Sequence, residues 1–299
     1  MTIARIAFIG FGEVGQSLAQ ALKGTSAFSA YDPKFVAGDT ATLDAAQRLD
    51  VAVRHAATDA ADNADLVISA VTAAQTVTAI SSIAASVKTN AWVLDVNSAS
   101  PEAKIAAAKM IHASGARYIE SSIMAPINPK RLAAPILLGG PHAATFESVA
   151  ADLGFTNAQF YSDIPGKAAA AKLCRSVVVK GIEALIAESL LAARHYGVED
   201  HVLASLDNLF PHEDWRAYAQ YMIGRSLLHG QRRAEEMHEA ARTVSDANVS
   251  PWMSNATVLR QAWASDLSLN NPDLDLSSLL DAIRNVTPST EDQPLEAQQ

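Results

Sequence analysis

A glycine-rich loop that joins an apolar run to a helix-like segment is the feature that most constrains the fold of this chain. Residues 3–9 (IARIAFI) are short and apolar, which predicts a buried strand. Residues 16–22 (QSLAQAL), after the loop, have the composition and spacing of a helix. Glycines at the first, third and sixth loop positions permit a tight turn, close backbone approach to a ligand and close helix packing. The loop consists of Gly10, Phe11, Gly12, Glu13, Val14 and Gly15.

This loop predicts a binding site for the pyrophosphate of a dinucleotide, because a helix N-terminus offers unpaired N–H groups and partial positive charge. Asp32 ends the second predicted strand, 20 residues after Gly12, where its carboxylate can accept hydrogen bonds from the adenosine ribose. The same carboxylate would repel a 2′-phosphate, which favours NAD as the cofactor. Lys34 would partly offset that repulsion, so NADP stays possible. The alternative is a structural turn without a ligand.

The first half of the chain alternates short β-rich runs with alanine-rich segments, the pattern of βαβ units that wind a parallel sheet. These runs show little polar alternation, as expected when helices cover both faces of the sheet. We predict six strands, over residues 3–9, 28–31, 66–71, 92–96, 117–119 and 135–138.

Helical spacing replaces this alternation after residue 165. We predict helices over residues 168–196, 201–206, 213–228 and 231–248. The expected fold class is α/β, with a doubly wound parallel sheet of the Rossmann type in residues 1–164 that binds NAD(P). An all-helical substrate and dimerisation domain is expected in residues 165–286. Residues 287–299 are polar and aperiodic, which predicts a disordered tail.

Composition argues against several classes of function. The chain has 23 Lys and Arg against 32 Asp and Glu, a net charge of −9, and no basic run, so neither nucleic acid nor an anionic membrane is an expected partner. No apolar stretch is long enough to span a membrane and no signal-peptide cleavage region is evident, so we expect a cytoplasmic protein. The single cysteine, Cys174, is expected to be buried, and without an HExxH motif no metal site is expected.

With these motifs the sequence resembles the β-hydroxyacid dehydrogenases, which include 3-hydroxyisobutyrate, tartronate semialdehyde and 6-phosphogluconate dehydrogenases. The glycine loop and residues 31–33 (YDP) match the start of that family. Residues 65–72 (DLVISAVT) look like the strand whose end lines the cofactor cleft. Residues 94–101 (LDVNSASP) are similar to the D-x-S-T-x-x-P segment near the nicotinamide. The resemblance adds four residues to the cofactor site: Val71, Thr72, Asn97 and Ser98.

The resemblance also implies a catalytic lysine. Residues 166–172 (GKAAAAK) are similar to the G-x-G-x-x-x-K segment of the family, so Lys172 is implied to be the acid/base that exchanges a proton with the substrate hydroxyl. Ser176 stands one helical turn later, where the family has asparagine, and its hydroxyl can hydrogen-bond a substrate oxygen. The alternative is a surface lysine on an alanine-rich helix.

The substrate loop departs from the family pattern. Residues 120–126 (ESSIMAP) stand where the family has D-A-P-V-S-G-G, so Met124, Ala125 and Pro126 replace residues that present hydrogen-bond donors to a carboxylate. A small anionic substrate is still expected, but it must be held differently. This loop and the K-x-x-R-S run at residues 172–176 resemble a poorly characterised branch of the superfamily with a divergent helical C-terminal domain.

Three arginines are candidates for the replacement anion contacts: Arg175, Arg232 and Arg233. Guanidinium groups bind carboxylate or phosphate bidentately, and residues 229–237 (HGQRRAEEM) place two of them beside a histidine. The alternative is a solvated helix face, on which Arg232 pairs with Glu236 at i,i+4 spacing. The sequence leaves both open.

The expected function is NAD(P)-dependent hydride transfer between nicotinamide and the alcohol or carbonyl carbon of a small, hydroxy-acid-like anion. One alternative is an imine reductase on the same fold. Those relatives typically carry aspartate or tyrosine at the position of Lys172, so the lysine favours alcohol chemistry. The other alternative is a non-catalytic NAD(P)-sensing protein. Because the helical domain is not expected to bury all its apolar surface alone, we expect a homodimer.

Overall fold

The structure is a computed structural model, and it describes residues 3–206, 214–269 and 274–286 of the 299-residue chain. The chain divides into two compact units, Met1–Cys174 and Arg175–Gln299. The tail expected at residues 287–299 lies outside the described residues. Among the described residues, no helix combines the length and the apolar composition that a membrane span requires.

One eight-stranded sheet organises the first unit, with the strand order β3-β2-β1-β4-β5-β6-β7-β8. Neighbouring strands are parallel except β6 and β7, which are antiparallel. The chain order reverses at β1, which lies between β2 and β4, and doubly wound sheets bind their ligands at the carboxyl ends of the strands beside such a reversal. The strands are β1 (Arg5–Ile9), β2 (Ala27–Tyr31), β3 (Val51–Arg54), β4 (Leu66–Ser69), β5 (Trp92–Asp95), β6 (Arg117–Ile123), β7 (Ile136–Gly139) and β8 (Ala158–Ser162).

Helices connect these strands and form the second unit. Seven of them lie wholly within the first unit: α1 (Glu13–Ala21), α2 (Pro33–Val36), α3 (Thr40–Arg48), α4 (Ala57–Ala61), α5 (Thr76–Ile83), α6 (Pro101–Ala113) and α7 (Ala143–Asp152). Helix α8 (Lys167–Tyr196) begins in the first unit, and from Arg175 onward it belongs to the second. The remaining helices are α9 (Glu199–Leu206), α10 (Trp215–Asp246), α11 (Trp252–Asp266) and α12 (Leu276–Val286).

Both faces of the sheet are buried, as the lack of polar alternation predicts. In β1, Ile6 and Phe8 pack into the apolar cluster on one face, whereas Ala7 and Ile9 pack into the cluster on the other. Burial of each large apolar side chain stabilises the fold by about 1.5–3 kcal/mol. The predicted α/β class, with a doubly wound sheet and a helical C-terminal region, is confirmed.

The six predicted strands are present, but the sequence analysis missed β3 and β8. These two strands lie at the two edges of the sheet, so one side of each faces solvent. In β8 only Ala158 is buried, and in β3 only Val51 is buried, while Val53 is half-buried. Edge strands therefore lack the continuous apolar run by which the central strands were recognised.

The prediction of separate helices over 213–228 and 231–248 is wrong, because α10 runs unbroken through Gly230. This glycine is buried, and a Cβ atom there would stand 2.5 Å from the Gln261 carbonyl oxygen and 2.8 Å from the Ser265 amide nitrogen. Both of those atoms belong to α11. Gly230 thus allows two helix backbones to approach closely and does not end a helix. Helices α11 and α12 were not predicted.

The expectation that Cys174 is buried is also wrong. Its neighbours Leu173 and Ser176 are the buried residues of this part of α8, whereas Cys174 lies on the exposed side with Arg175. The helical period, rather than the apolar character of the thiol, decides its exposure.

A buried carboxylate attaches the start of α8 to the sheet. The two carboxylate oxygens of Glu120 on β6 accept hydrogen bonds of 2.5 Å from the amide N–H groups of Gly166 and Ala169. Glu120 faces Gly139 in the antiparallel β6–β7 pair, and a Cβ atom at Gly139 would stand 2.6 Å from the carboxylate. Because Gly139 has no side chain, the Glu120 carboxylate that caps α8 has room beside it.

Replacing Glu120 with alanine should destabilise the first unit strongly. The substitution leaves two buried N–H donors without an acceptor, which should lower the free energy of unfolding by about 2–5 kcal/mol. Urea denaturation followed by circular dichroism measures this change. The control is Glu147→Ala on α7, at a partly exposed position, which should stay within about 0.5 kcal/mol of the wild type. Equal stability of the two variants would contradict the anchoring role.

The close approach of α10 and α11 gives a second prediction. Gly230→Ala should lower the free energy of unfolding by about 1–3 kcal/mol, because the added methyl group meets the α11 backbone. Gly181→Ala on α8 is the matched control, since no atom lies within 4 Å of a Cβ built there. That variant should be more stable than the wild type by about 0.5–1 kcal/mol, through its higher helix propensity. Denaturation midpoints that rank the variants in the opposite order would contradict the interpretation.

Candidate functional site

The glycine loop connects β1 to α1 at the carboxyl edge of the sheet. Gly10 has φ of +91°, and a Cβ atom there would overlap the backbone of Ala70, the residue directly after β4. A Cβ atom at Gly15 would stand 2.5 Å from the Gly10 carbonyl oxygen. At Gly12, by contrast, no atom lies within 4 Å of the added Cβ. Two glycines therefore allow tight packing, and the third leaves an open surface.

This open surface fits the pyrophosphate of a dinucleotide. Gly12 is the N-cap of α1, and no side chain caps the helix there. The first N–H groups of any α-helix lack partners within the helix, and the helix dipole adds positive charge at this end. The backbone from Gly12 to Gly15 can therefore hold a phosphate without interference from a side chain. The Glu13 side chain is exposed and Val14 is half-buried.

Asp32, at the end of β2, ties the loop to the sheet. Its Oδ2 atom accepts a hydrogen bond of 2.7 Å from the Phe11 amide, and its Oδ1 atom accepts one of 2.9 Å from the Lys34 amide. A carboxylate oxygen can accept more than one hydrogen bond, so Asp32 can still bind a ribose hydroxyl. The Phe11 ring is completely buried against Phe35. Phe11 can thus contribute only its backbone to a cofactor site, and the Lys34 side chain is exposed.

Asn97 links the carboxyl ends of β4 and β5. Its Oδ1 atom accepts a hydrogen bond of 2.6 Å from the Val71 amide, and its Nδ2 atom donates one of 3.0 Å to Ser69 Oγ. The Asn97 side chain is buried, whereas Thr72 is exposed at the same edge. The asparagine amide thereby fixes the backbone on which these predicted cofactor residues lie.

A buried network of three polar side chains, which the sequence analysis missed, supports the carboxyl end of β5. Asp95 forms an ion pair with Lys104 (Oδ1–Nζ 2.9 Å), and both side chains are completely buried. The Tyr118 hydroxyl donates a hydrogen bond of 2.7 Å to Asp95 Oδ2, and burial together with this carboxylate raises the pKa of the phenol. Since each group has a partner, the network holds the end of β5 rigidly. An acidic residue at the end of an apolar strand was the signal available in the sequence.

The structure brings Lys172 and Ser98 together. Lys172 Nζ donates a hydrogen bond of 2.6 Å to Ser98 Oγ, which joins the second turn of α8 to the segment after β5. Both residues are partly buried and belong to the first unit. Glu120 holds the first turn of the same helix, so Lys172 extends from a fixed backbone. Burial raises the pKa of the Glu120 carboxyl, against the opposing effect of Lys104 and the two amide donors.

The substrate loop predicted from residues 120–126 separates into two parts. Glu120 and the two serines after it are buried within β6, where they face the interior. Met124 and Ala125 follow the strand and are half-buried, and Pro126 is exposed. The Met124 amide donates a hydrogen bond of 2.8 Å to the Pro135 carbonyl oxygen. Only these last three residues are placed where a ligand can reach them.

The other predicted substrate residues belong to the second unit. Arg175 is exposed and Ser176 is buried on α8. Arg232 is exposed and pairs with Glu236 at 3.0 Å, the contact expected for a solvated helix face. Arg233 differs from both sequence interpretations, because its side chain is buried in an ion pair with Glu183 of α8. That partner is distant in sequence and could not be read from the α10 segment.

Two family models match the chain. One is described as the NAD binding domain of 6-phosphogluconate dehydrogenase and matches residues 5–154. The other is described as a domain of unknown function, DUF1932, and matches residues 193–264. The cofactor loop and the β4–β5 edge fall within the first match, whereas most of α10 and α11 fall within the second.

Solved structures share the architecture of this chain. A conserved hypothetical protein from Sinorhizobium meliloti 1021 is 32% identical, with a TM-score of 0.73 over 95% of this chain and 97% of that chain. The 3-hydroxyisobutyrate dehydrogenase of Mycobacterium tuberculosis is 16% identical, with a TM-score of 0.70 over 94% and 99% of the two chains. An imine reductase from Streptomyces aurantiacus is 16% identical, with a TM-score of 0.54 over the same shares. At 16% identity, the dehydrogenase and the imine reductase show only that they share the fold of this chain.

These matches confirm the resemblance drawn from the glycine loop and the strand-end motifs. The chain belongs to the family defined by the NAD-binding domain of 6-phosphogluconate dehydrogenase, and it joins that domain to a helical domain of the DUF1932 type.

Proposed function

We propose that the protein is an NAD(P)-dependent oxidoreductase that acts on the alcohol or carbonyl carbon of a small, hydroxy-acid-like anion. The observation that carries this proposal is the hydrogen bond between Lys172 Nζ and Ser98 Oγ at the carboxyl end of β5. The glycine loop lies at the same edge of the parallel sheet, two strands away. A bound nicotinamide cofactor would supply or accept the hydride there.

Lys172 is the proposed acid/base. When an alcohol is oxidised, its hydroxyl proton must move to a base, and a neutral Lys172 amine can take it and become an ammonium group. In the reverse direction the ammonium group gives the proton to the carbonyl oxygen. Ser98 holds the Nζ atom in place, so we regard it as a positioning residue. We propose that Ser176, one helical turn after Lys172, contacts the substrate through its hydroxyl.

The attachment of α8 to the sheet supports this role for Lys172. Glu120 fixes the amide groups of Gly166 and Ala169, which begin the helical turns that carry Lys172. Acid–base catalysis depends on a donor and an acceptor held within hydrogen-bond distance of the reacting atom. A lysine on a frayed helix end would not meet that requirement.

Lys172→Ala should lower kcat by about 100-fold or more with the best substrate, because general acid–base catalysis contributes rate factors of this size. The affinity for the nicotinamide cofactor should change by less than about twofold, since the variant leaves the glycine loop intact. Absorbance of the reduced cofactor measures turnover against a panel of hydroxy acids, sugar acids, their phosphates and imines. Lys167→Ala, an exposed position on the same helix, is the matched control and should retain wild-type kcat.

Three outcomes of this assay separate the alternatives. Wild-type turnover in the Lys172→Ala variant would rule out the lysine as acid/base. Turnover restricted to imines would support an imine reductase, a function found among proteins of this fold. Tight cofactor binding without turnover of any compound in the panel would support the NAD(P)-sensing alternative.

We propose NAD as the preferred cofactor because of Asp32. Replacing its carboxylate by an amide, in Asp32→Asn, removes the repulsion of a 2′-phosphate. The ratio of the NADP dissociation constant to that of NAD should therefore fall by about tenfold, which corresponds to about 1.4 kcal/mol. Fluorescence titration with each reduced cofactor measures the ratio. Asp39→Asn is the matched control, since Asp39 caps α3 through a similar hydrogen bond to the Thr42 amide. An unchanged ratio in Asp32→Asn would contradict the assignment.

A further inference from the structure

The connection between β6 and β7, residues 124–135, reaches from the end of β6 to α1. In the sheet, β6 is three strands away from β1, the strand that leads into α1, which is about 14 Å at the usual strand spacing. Ile127 and Ala134 of this connection are nevertheless buried in the same apolar cluster as Leu18 of α1. We name this segment the β6–β7 loop. It begins with residues 124–126, the part of the predicted substrate loop that a ligand can reach.

Asn128 makes a polar contact between this loop and α1. Its Nδ2 group donates a hydrogen bond of 3.1 Å to Ser17 Oγ and lies 3.5 Å from Glu13 Oε1. A primary amide has two N–H donors, so Asn128 can bond both residues at once. Ser17 is buried one turn after the start of the helix, whereas Glu13 is exposed at its first position. Asn128 therefore ties the β6–β7 loop to a buried and to an exposed position of α1.

Glu13 carries a negative charge at the end of α1 to which we assign the pyrophosphate of the cofactor. Without a ligand this placement is favourable, because the N-terminus of a helix is its positive end. A pyrophosphate bound to the first N–H groups of α1 would bring like charge to the same place and disfavour it. Asn128 Nδ2 then offers a hydrogen-bond donor to a carboxylate that turns away from the helix end.

We propose that Asn128 is a positioning residue that couples cofactor binding at the glycine loop to the β6–β7 loop. In the cofactor-bound protein the Glu13 carboxylate bonds Asn128 more closely, and residues 124–126 are held more firmly beside α1. By linkage the effect is reciprocal, so a loop held in this way also favours cofactor binding. The inference rests on the proposed function for the assignment of the glycine loop and of residues 124–126, but it does not require hydride transfer.

Hydrogen–deuterium exchange of the full-length protein, with and without saturating NADH, measures this coupling in the absence of substrate. The amides to follow are those of Arg131, Ala133 and Ala134, which donate hydrogen bonds within the loop. NADH should slow their exchange by about threefold in the wild type, the size of effect that one strengthened hydrogen bond has on local opening.

Two variants should abolish the response to NADH. Asn128→Asp removes the donor to Glu13 and places like charges together, yet it keeps an acceptor for the Ser17 hydroxyl. Glu13→Gln keeps an acceptor for Asn128 but removes the charge that a pyrophosphate would repel. The NADH affinity of Asn128→Asp should fall by no more than about fivefold, since the coupling is worth little more than one hydrogen bond. Gln20→Glu, which adds a negative charge at an exposed position of α1, is the matched control and should respond as the wild type does.

A structural role for Asn128 alone predicts a different result. In that case Asn128→Asp would speed exchange equally in the free and the NADH-bound protein, and this outcome would overturn the coupling. An absence of slowing in the wild type, or slowing that survives in both variants, would overturn it as well. Slowing by NADH in a protein that turns over no compound of the panel would count against hydride transfer and leave the coupling standing. Turnover without slowing would overturn the coupling alone.

Discussion

The capped start of α8 is the contact on which the rest of the proposed chemistry depends. Glu120 places a carboxylate inside a sheet whose two faces are covered largely by apolar side chains, and burying a charge there is costly without partners. Its partners are two amide groups at the positive end of a long helix, where a negative charge is most favourable. The helix that carries Lys172 is thus attached to β6, the neighbour of β5, and Ser98 lies in the segment that follows β5.

Buried polar side chains that satisfy one another's hydrogen-bonding groups support the carboxyl ends of β4 and β5. Asn97 connects two strand ends, while Asp95, Lys104 and Tyr118 form a second layer that is inaccessible to solvent. Such a network loses stability if any one member is missing, because the others are then left unpaired. Two polar features of the first unit lie beside this rigid edge and are accessible. We assign the open face of the glycine loop to the cofactor, and the Lys172–Ser98 pair to proton transfer.

Sequence patterns predicted the parts of the structure that depend on local spacing. The strand–loop–helix at Gly10 and the central strands have strong periodic signals, and the structure has them where they were expected. The edge strands and the unbroken α10 were missed because exposure at a sheet edge and the contact of Gly230 with α11 depend on the assembled fold. The same limit applies to Arg233, whose partner Glu183 lies 50 residues earlier on another helix. The role of Glu120 likewise required the pairing of β6 with β7.

That pairing also limits how the sequence can vary. Residues 120 and 139 stand opposite one another, and the carboxylate of the first occupies the space that a side chain at the second would need. The two positions cannot be substituted independently, since any residue larger than glycine at 139 displaces the helix cap. Relatives that preserve a capped α8 should therefore carry glycine at 139 whenever 120 is glutamate, and a shorter acidic residue at 120 is the change that would release the constraint.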